Sequence, residues 1–221
     1  MLEIWWIRHG STDWNSERRW QGQSNVPLNE TGRNQARALA KALEGIPFAE
    51  VWSSDLQRCI DTASLALPYL GKTQELKTDS RLREINMGIA EGRIWSELTA
   101  QQQQSIADWW ENPYELPFPG TSESLRDTAS RAEAWRKELR TKDGRVAAFT
   151  HGGLIRTIFM EVVGAPSPKK RWAMELGNTG IVKIRYDGDF PILTAFNELT
   201  HIKNAWNLPP GQDVPGSRRK A

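Results

Sequence analysis

One cysteine, three histidines and three tyrosines in 221 residues leave few side chains for nucleophilic or metal chemistry. The lone Cys59 excludes an internal disulfide and fits a reducing cytoplasm. No apolar run approaches the ~20 residues of a membrane span. The run at the N-terminus also lacks the basic start and length of a signal peptide. Charge is nearly balanced at a formal +2, so nothing recommends a nucleic-acid or membrane partner. No HExxH, zinc-type cysteine/histidine spacing, Walker loop or solenoid repeat occurs. With 25% charged and 38% hydrophobic residues, the chain is expected to be soluble and globular, and its length allows one large domain or two small ones.

Against that background the stretch Leu2–Ile7 stands out, an apolar, aromatic and β-branched run that reads as a buried strand. It ends on Arg8-His9-Gly10 and opens into Ser11-Thr12-Asp13. Val146–Thr150 repeats the setting, running into His151-Gly152-Gly153. Each strand end offers an imidazole and free backbone N–H groups, and the first adds a guanidinium.

Between them, Ala36, Leu39, Ala40 and Leu43 make an amphipathic helix over Glu30–Glu44, with Asn29 as N-cap. A strand is expected at Ala49–Ser53, then a helix capped by Ser54 with Leu56, Cys59, Ile60, Ala63 and Leu67 inward. A weak strand is expected around Gln74–Thr78. Ile94–Gly120, with its glutamine run and three prolines, reads as an inserted lid outside the sheet. A helix follows from Thr121 or Ser122, then a helix at Gly153–Val163, and a hairpin pairs Ile181–Tyr186 with Ile192–Asn197. Alternating strands and helices predict an α/β chain: a three-layer α/β/α sandwich with a mostly parallel sheet. The expected partition is one domain over 1–203, its lid at about 94–120, and a disordered tail over 204–221.

Such sheets bind ligands at the carboxyl ends of their strands. Arg8, His9 and His151 fall there, and Arg58 falls in the first turn of the helix after the second strand, where N–H groups and the helix dipole favour an anion. Taken singly, each reads as a structural histidine or a solvated arginine. Together they read as a phosphate site, with arginines for the oxygens and one neutral and one protonated histidine as nucleophile and donor.

The chain resembles the histidine phosphatase (phosphoglycerate mutase-like) superfamily. The similarity runs through Arg8–Asn15, Arg18–Gln23, Pro27–Ala36, Ser53–Ala63, Leu82–Gly88 with Glu91-Gly92, and Thr150–Gly153, in the family's order. The resemblance implies that His9 takes the phosphoryl group, and that Arg8, Arg58 and His151 surround it. Asn15 and the Gly152 amide would be further donors, Gln21 a phosphate contact, and Glu84 the acid and then the base. It implies no metal or cofactor, a small-molecule phosphomonoester as partner, and leaves a homodimer open. The chemistry agrees: an alkoxide leaves badly without a carboxylic acid of raised pKa beside it, and fixed cations can meet the charge on the transferring group.

Ser11 stands where relatives usually have Glu or Gln; its hydroxyl is expected to hold the loop or touch phosphate, but the charge beside the pocket changes. Asp55 replaces a frequent proline, and both suit a helix start. Ile85–Gly92 resembles the broad-specificity and α-ribazole phosphatases more than the mutases, whose tyrosine-glycine stretch and longer insertion it lacks. A metal-independent phosphatase is therefore expected. Phosphoglycerate mutase is the alternative, and a non-catalytic phospho-ligand binder is disfavoured because His9, Glu84 and His151 are all present. Of the eleven tryptophans, Trp5, Trp52 and Trp135 are expected in the core. Trp109 and Trp110, with Ile106 and Tyr114, would pack the lid onto the body or, alternatively, wall the substrate, as would Trp20. Cys59 is expected to be a small core residue.

Overall fold

A computed structural model describes residues 1–71, 75–139, 141, 143–164 and 174–202. The expected tail, 204–221, lies outside the described residues. The elements are β1 (Leu2–Arg8), α1 (Asp13–Ser16), α2 (Glu30–Leu43), β2 (Glu50–Ser53), α3 (Gln57–Ala66), β3 (Leu76–Thr78), α4 (Ala100–Trp109), α5 (Leu125–Glu138), β4 (Gly144–Thr150), α6 (Gly152–Val162), β5 (Ile181–Asp187) and β6 (Phe190–Glu198). They build one six-stranded sheet in the order β3-β2-β4-β1-β5-β6. The pairs β1–β4, β2–β3 and β2–β4 are parallel, and the hairpin β5–β6 adds an antiparallel margin beside β1.

Side chains alternate across a strand, so β1 feeds both faces of the sheet. Ile4 and Trp6 join Ala132 and Trp135 of α5 and Leu154, Ile155 and Ile158 of α6. Trp5 and Ile7 join Leu39, Ala40 and Leu43 of α2 and Ala63 and Ala66 of α3. Two helical layers therefore cover the sheet, as the α/β/α expectation requires. Trp5 and Trp135 are buried, whereas Trp52 is only half-buried, its Nε1 donating to Glu50 and Lys77 lying over its ring. Among the described residues no helix is long and apolar enough to cross a membrane.

A third apolar cluster accounts for the segment expected as a lid. Ile106, Trp109, Trp110, Tyr114 and Phe118 pack on Trp20, Ile85, Met87 and Leu125. Trp109 stands edge-on to both Trp110 and Phe118. Trp109 and Trp20 are 3% and 2% exposed, so neither offers a wall to a ligand; they weld residues 95–118 to the body.

Two helix starts differ from expectation. α3 begins at Gln57 with Leu56, in extended conformation, as N-cap and with no side-chain cap; Ser54 Oγ accepts the Leu56 N–H at 3.3 Å, one residue short of the helix. α5 begins at Leu125, not near Thr121. Ser124 and Asp127 form a reciprocal capping box there, while Thr121 Oγ1 turns the chain by accepting the Glu123 N–H. Asn29 caps α2 as expected, accepting from the Gly32 N–H.

Candidate active site

Strand register brings the two histidines together. β1 and β4 pair residue for residue from Leu2↔Gly144 to Arg8↔Thr150, so His9 and His151 leave the sheet at one level. Their rings are 5.3 Å apart between centroids, and both are buried. β2 ends beside them: the Ser54 N–H donates to the Phe149 carbonyl, and Ser54 Oγ lies 2.9 Å from His151 Nε2.

His9 is fixed in one tautomer. Its Nδ1 is 2.7 Å from the Gly10 carbonyl oxygen, which can only accept, so Nδ1 carries the proton and Nε2 keeps its lone pair. The loop behind it is tied down. Thr62 Oγ1 accepts the Gly10 N–H and Gln35 Oε1 accepts the Ser11 N–H. A Cβ at Gly10 would lie 2.6 Å from the Gly32 carbonyl oxygen, and one at Gly32 would lie 2.0 Å from that of Ser11, so two glycines let this loop touch α2. Ser11 itself turns its hydroxyl to the Thr12 carbonyl at 3.4 Å.

Three guanidinium groups surround this corner. Arg58, on the second residue of α3, donates to the Ser24 and Gly22 carbonyls at 2.7 Å each. Arg8 donates to the Leu176 carbonyl at 2.5 Å. Among the described residues no group accepts from the Nε–H of either. Arg156, one turn into α6, donates to the Met174 carbonyl, and its Nη1 and Arg8 Nε both lie 3.1 Å from where a Cβ on Gly152 would stand. Burial, then Arg156, pulls Arg8 down to about 10, which leaves it charged at neutral pH. Burial, then Arg58, holds both His9 and His151 well below the usual 6.5. Burial beside cations thus disfavours a charge on either ring while the pocket holds no anion.

Glu84 reaches the same corner from the loop after β3. Its Oε1 accepts the Ile85 and Leu154 N–H groups at 2.9 and 3.0 Å, and its Oε2 accepts the Gly153 N–H at 2.9 Å. The carboxylate thus sits on the first turn of α6, whose N-cap is His151. The remaining expected contributors lie on the surrounding loops. Asn15 Oδ1 closes the α1 capping box with Thr12, which leaves Nδ2 as its donor. Gln21 is buried, and its Oε1 has no partner among the described residues. Cys59 lies 3.3 Å from His151 Nε2, and burial pushes its thiol far up, as a core residue requires.

Several neighbours escape motif reading. Asn178 Nδ2 donates to the His9 carbonyl at 3.0 Å, and the Thr179 N–H donates to the Arg8 carbonyl at 3.1 Å. Thr179 does so at φ +59, an unfavourable region for a β-branched residue, and its Oγ1 meets His201 at 3.0 Å. Asp55 forms a two-pronged ion pair with Arg83, next to Glu84, so the aspartate is more than a neutral substitute for proline. Arg131 Nη2 donates to the Glu84 carbonyl at 3.0 Å. Among the described residues no three His, Cys, Asp or Glu side chains converge as a metal site.

Comparisons with known proteins identify the family. The family model for the histidine phosphatase superfamily, branch 1, matches residues 4–199. A phosphoglycerate mutase-like protein 4 from Arabidopsis thaliana is 31% identical over 95% of this chain and 90% of its own. A metal-independent phosphoserine phosphatase from the same plant is 31% identical over 96% of this chain and 88% of its own. The crystal structure of an Entamoeba histolytica phosphoserine phosphatase mutant with phosphoserine superimposes with a TM-score of 0.77. It shares 26% identity and covers 92% of this chain and all of its own. The chain therefore belongs to the histidine phosphatase superfamily, branch 1, and is an enzyme of the phosphatase type.

Proposed function

We propose that this chain is a metal-independent phosphomonoesterase acting on a small phosphorylated metabolite through a phosphohistidine at His9. The observation that carries the reading is the bare Nε2 of a buried, neutral His9 set among Arg8, Arg58 and Arg156. A phosphoryl dianion entering that corner meets the unaccepted Nε–H groups of Arg8 and Arg58 and the N–H of Gly152, with Asn15 Nδ2 and Gln21 at its edge. Burial first and the charge of Arg58 second disfavour a proton on His151; the dianion opposes both, and His151 can then donate to it.

In the first step, with Glu84 in its carboxylic acid form, Nε2 attacks phosphorus while the ester P–O bond breaks, and the leaving oxygen takes the Glu84 proton, which leaves the carboxylate that serves as base in the second step. Water then attacks phosphorus, giving its proton to Glu84 as the P–N bond breaks. Neutral His9 and inorganic phosphate result. The acid in one direction is the base in the other by microscopic reversibility. The two Glu84 oxygens are aimed by backbone N–H groups of α6 and not by a mobile side chain. Hydrolysis over transfer is favoured by the phosphatase-like stretch Ile85–Gly92 and by the relatives that carry phosphatase names.

The test is a panel of phosphomonoesters in excess EDTA, including 3-phosphoglycerate with and without 2,3-bisphosphoglycerate. Net phosphate release from several esters is expected. Efficient 3-to-2 isomerisation without phosphate release would replace this reading with the mutase, and strict metal dependence would overturn the mechanism.

A further inference from the structure

We infer that Glu91, which stands outside the reacting corner, is a positioning residue that sets the geometry of Arg58. The inference rests on the phosphatase reading above. Both side-chain nitrogens of Arg58 that have partners spend them on carbonyls of Gly22 and Ser24. Those acceptors belong to a loop with no helical or strand ladder of its own, so Arg58 is aimed only as well as the loop is held.

Glu91 holds it. Oε1 accepts the Gln23 N–H at 2.7 Å and Oε2 accepts the Ser24 hydroxyl at 2.8 Å. Oε1 also accepts the Met87 N–H at 3.1 Å, which joins this loop to the one carrying Glu84. The carboxylate presses so closely that a Cβ on Gly22, at φ +50, would lie 2.0 Å from Oε1; only glycine fits both the conformation and the space. Gln23 Nε2 extends the link by donating to the Glu84 carbonyl at 3.1 Å. Gln21 precedes Gly22 in the same loop, so one carboxylate organises the surroundings of Arg58, Gln21 and the loop that carries Glu84. Its negative charge also helps offset the burial of Arg58.

A residue that merely supported the fold would lower stability and active fraction while leaving oxyanion affinity intact. The experiment therefore measures the inhibition constant of orthovanadate, and the KM and kcat of p-nitrophenyl phosphate, on the full chain carrying Glu91→Ala, Glu91→Gln, Arg58→Ala and the Glu91→Ala/Arg58→Ala pair. Glu91→Ala is expected to weaken orthovanadate by about 10- to 100-fold, the factor of one lost hydrogen bond to a charged group. Glu91→Gln should recover most of that, because an amide oxygen still accepts from the Gln23 N–H. On the Arg58→Ala background, Glu91→Ala should change the constant by less than about 3-fold, since coupled residues are not additive. Unchanged orthovanadate affinity in Glu91→Ala, or full multiplication of the two effects, would overturn the inference. Should Glu91→Ala not fold, Ser24→Ala removes only the Oε2 bond and is expected to weaken orthovanadate by about 3-fold or more; no change there overturns it equally. A wild-type chain that neither binds orthovanadate nor hydrolyses the ester would instead refute the phosphatase reading itself.

Discussion

Gly153→Ala puts a single methyl group against the general acid. A Cβ at this position would lie 2.2 Å from Glu84 Oε1 and 2.8 Å from Ile85 Cδ1. Gly153 is the second residue of α6, where alanine is intrinsically the better helix former by about 0.5–1 kcal/mol, so the backbone itself raises no objection. The penalty falls on Glu84 and, less severely, on the flexible end of Ile85. The Glu84 carboxylate must retreat by about 1 Å to reach ordinary contact, which breaks the bonds from the Gly153 and Leu154 N–H groups. A displacement of that size can cost about 100-fold in rate. That factor corresponds to about 2.7 kcal/mol, within the range for a hydrogen bond to a charged group. The assay is kcat/KM, which reports formation of the phosphoenzyme, for an alkyl phosphate and for p-nitrophenyl phosphate. The alkyl ester needs a proton on its leaving oxygen and should lose about 100-fold, whereas the nitrophenyl ester should lose less than about 5-fold. Equal losses for both esters, or no loss with alkyl phosphate, would refute Glu84 as the acid held by α6.

Three further outcomes follow from burial. The fold keeps His9 and His151 neutral well below 6.5, so the unfolded chain takes up protons that the native one refuses. Unfolding free energy, from urea titrations, should therefore fall by up to about 1.4 kcal/mol per pH unit for each histidine as pH drops from about 7 to about 5, and His9→Gln should remove its share. A flat profile would contradict the burial argument. Trp109→Ala empties the centre of the third apolar cluster and should cost about 3–5 kcal/mol of stability while leaving the KM for p-nitrophenyl phosphate unchanged; unchanged stability with a shifted KM would restore the substrate-wall role. Cys59, buried with a thiol pushed far up, should resist iodoacetamide until urea unfolds the chain, and rapid native labelling with loss of activity would contradict this.

The legible parts of this chain are those set by local pattern. The strand Leu2–Arg8 and its counterpart ending at Thr150 declare themselves by apolar content, and parallel pairing then makes the meeting of His9 and His151 a matter of register. The first turn of α3 likewise puts Arg58 where strand-end geometry expects it. Glu84 is different. It lies on an irregular loop with no periodicity, and only the family resemblance singled it out; its seat on α6 is a contact across 69 residues of chain. Arg156, Asn178 and Thr179 are hidden for the same reason, since each acts through a backbone carbonyl that no motif records. The helix starts differ from local expectation for two reasons: α3 starts at an apolar N-cap, Leu56, with no side-chain cap to signal it, whereas before α5 several polar residues in a row can cap and only Ser124 has Asp127 placed to close the box. Ser11 and Asp55 show both limits. The first turns to its own loop and leaves the substrate unread, while the second finds an arginine 28 positions away.

The formation of a phosphohistidine at residue 9 is the most direct test. The full chain is mixed with p-nitrophenyl phosphate, quenched in alkali and digested, and the peptide containing His9 is weighed before and after acid treatment. An acid-labile phosphoryl adduct on that peptide is expected in the wild type, increased in Glu84→Gln and absent from His9→Ala, which should also lose turnover. Turnover without any adduct, or turnover retained by His9→Ala, would contradict it.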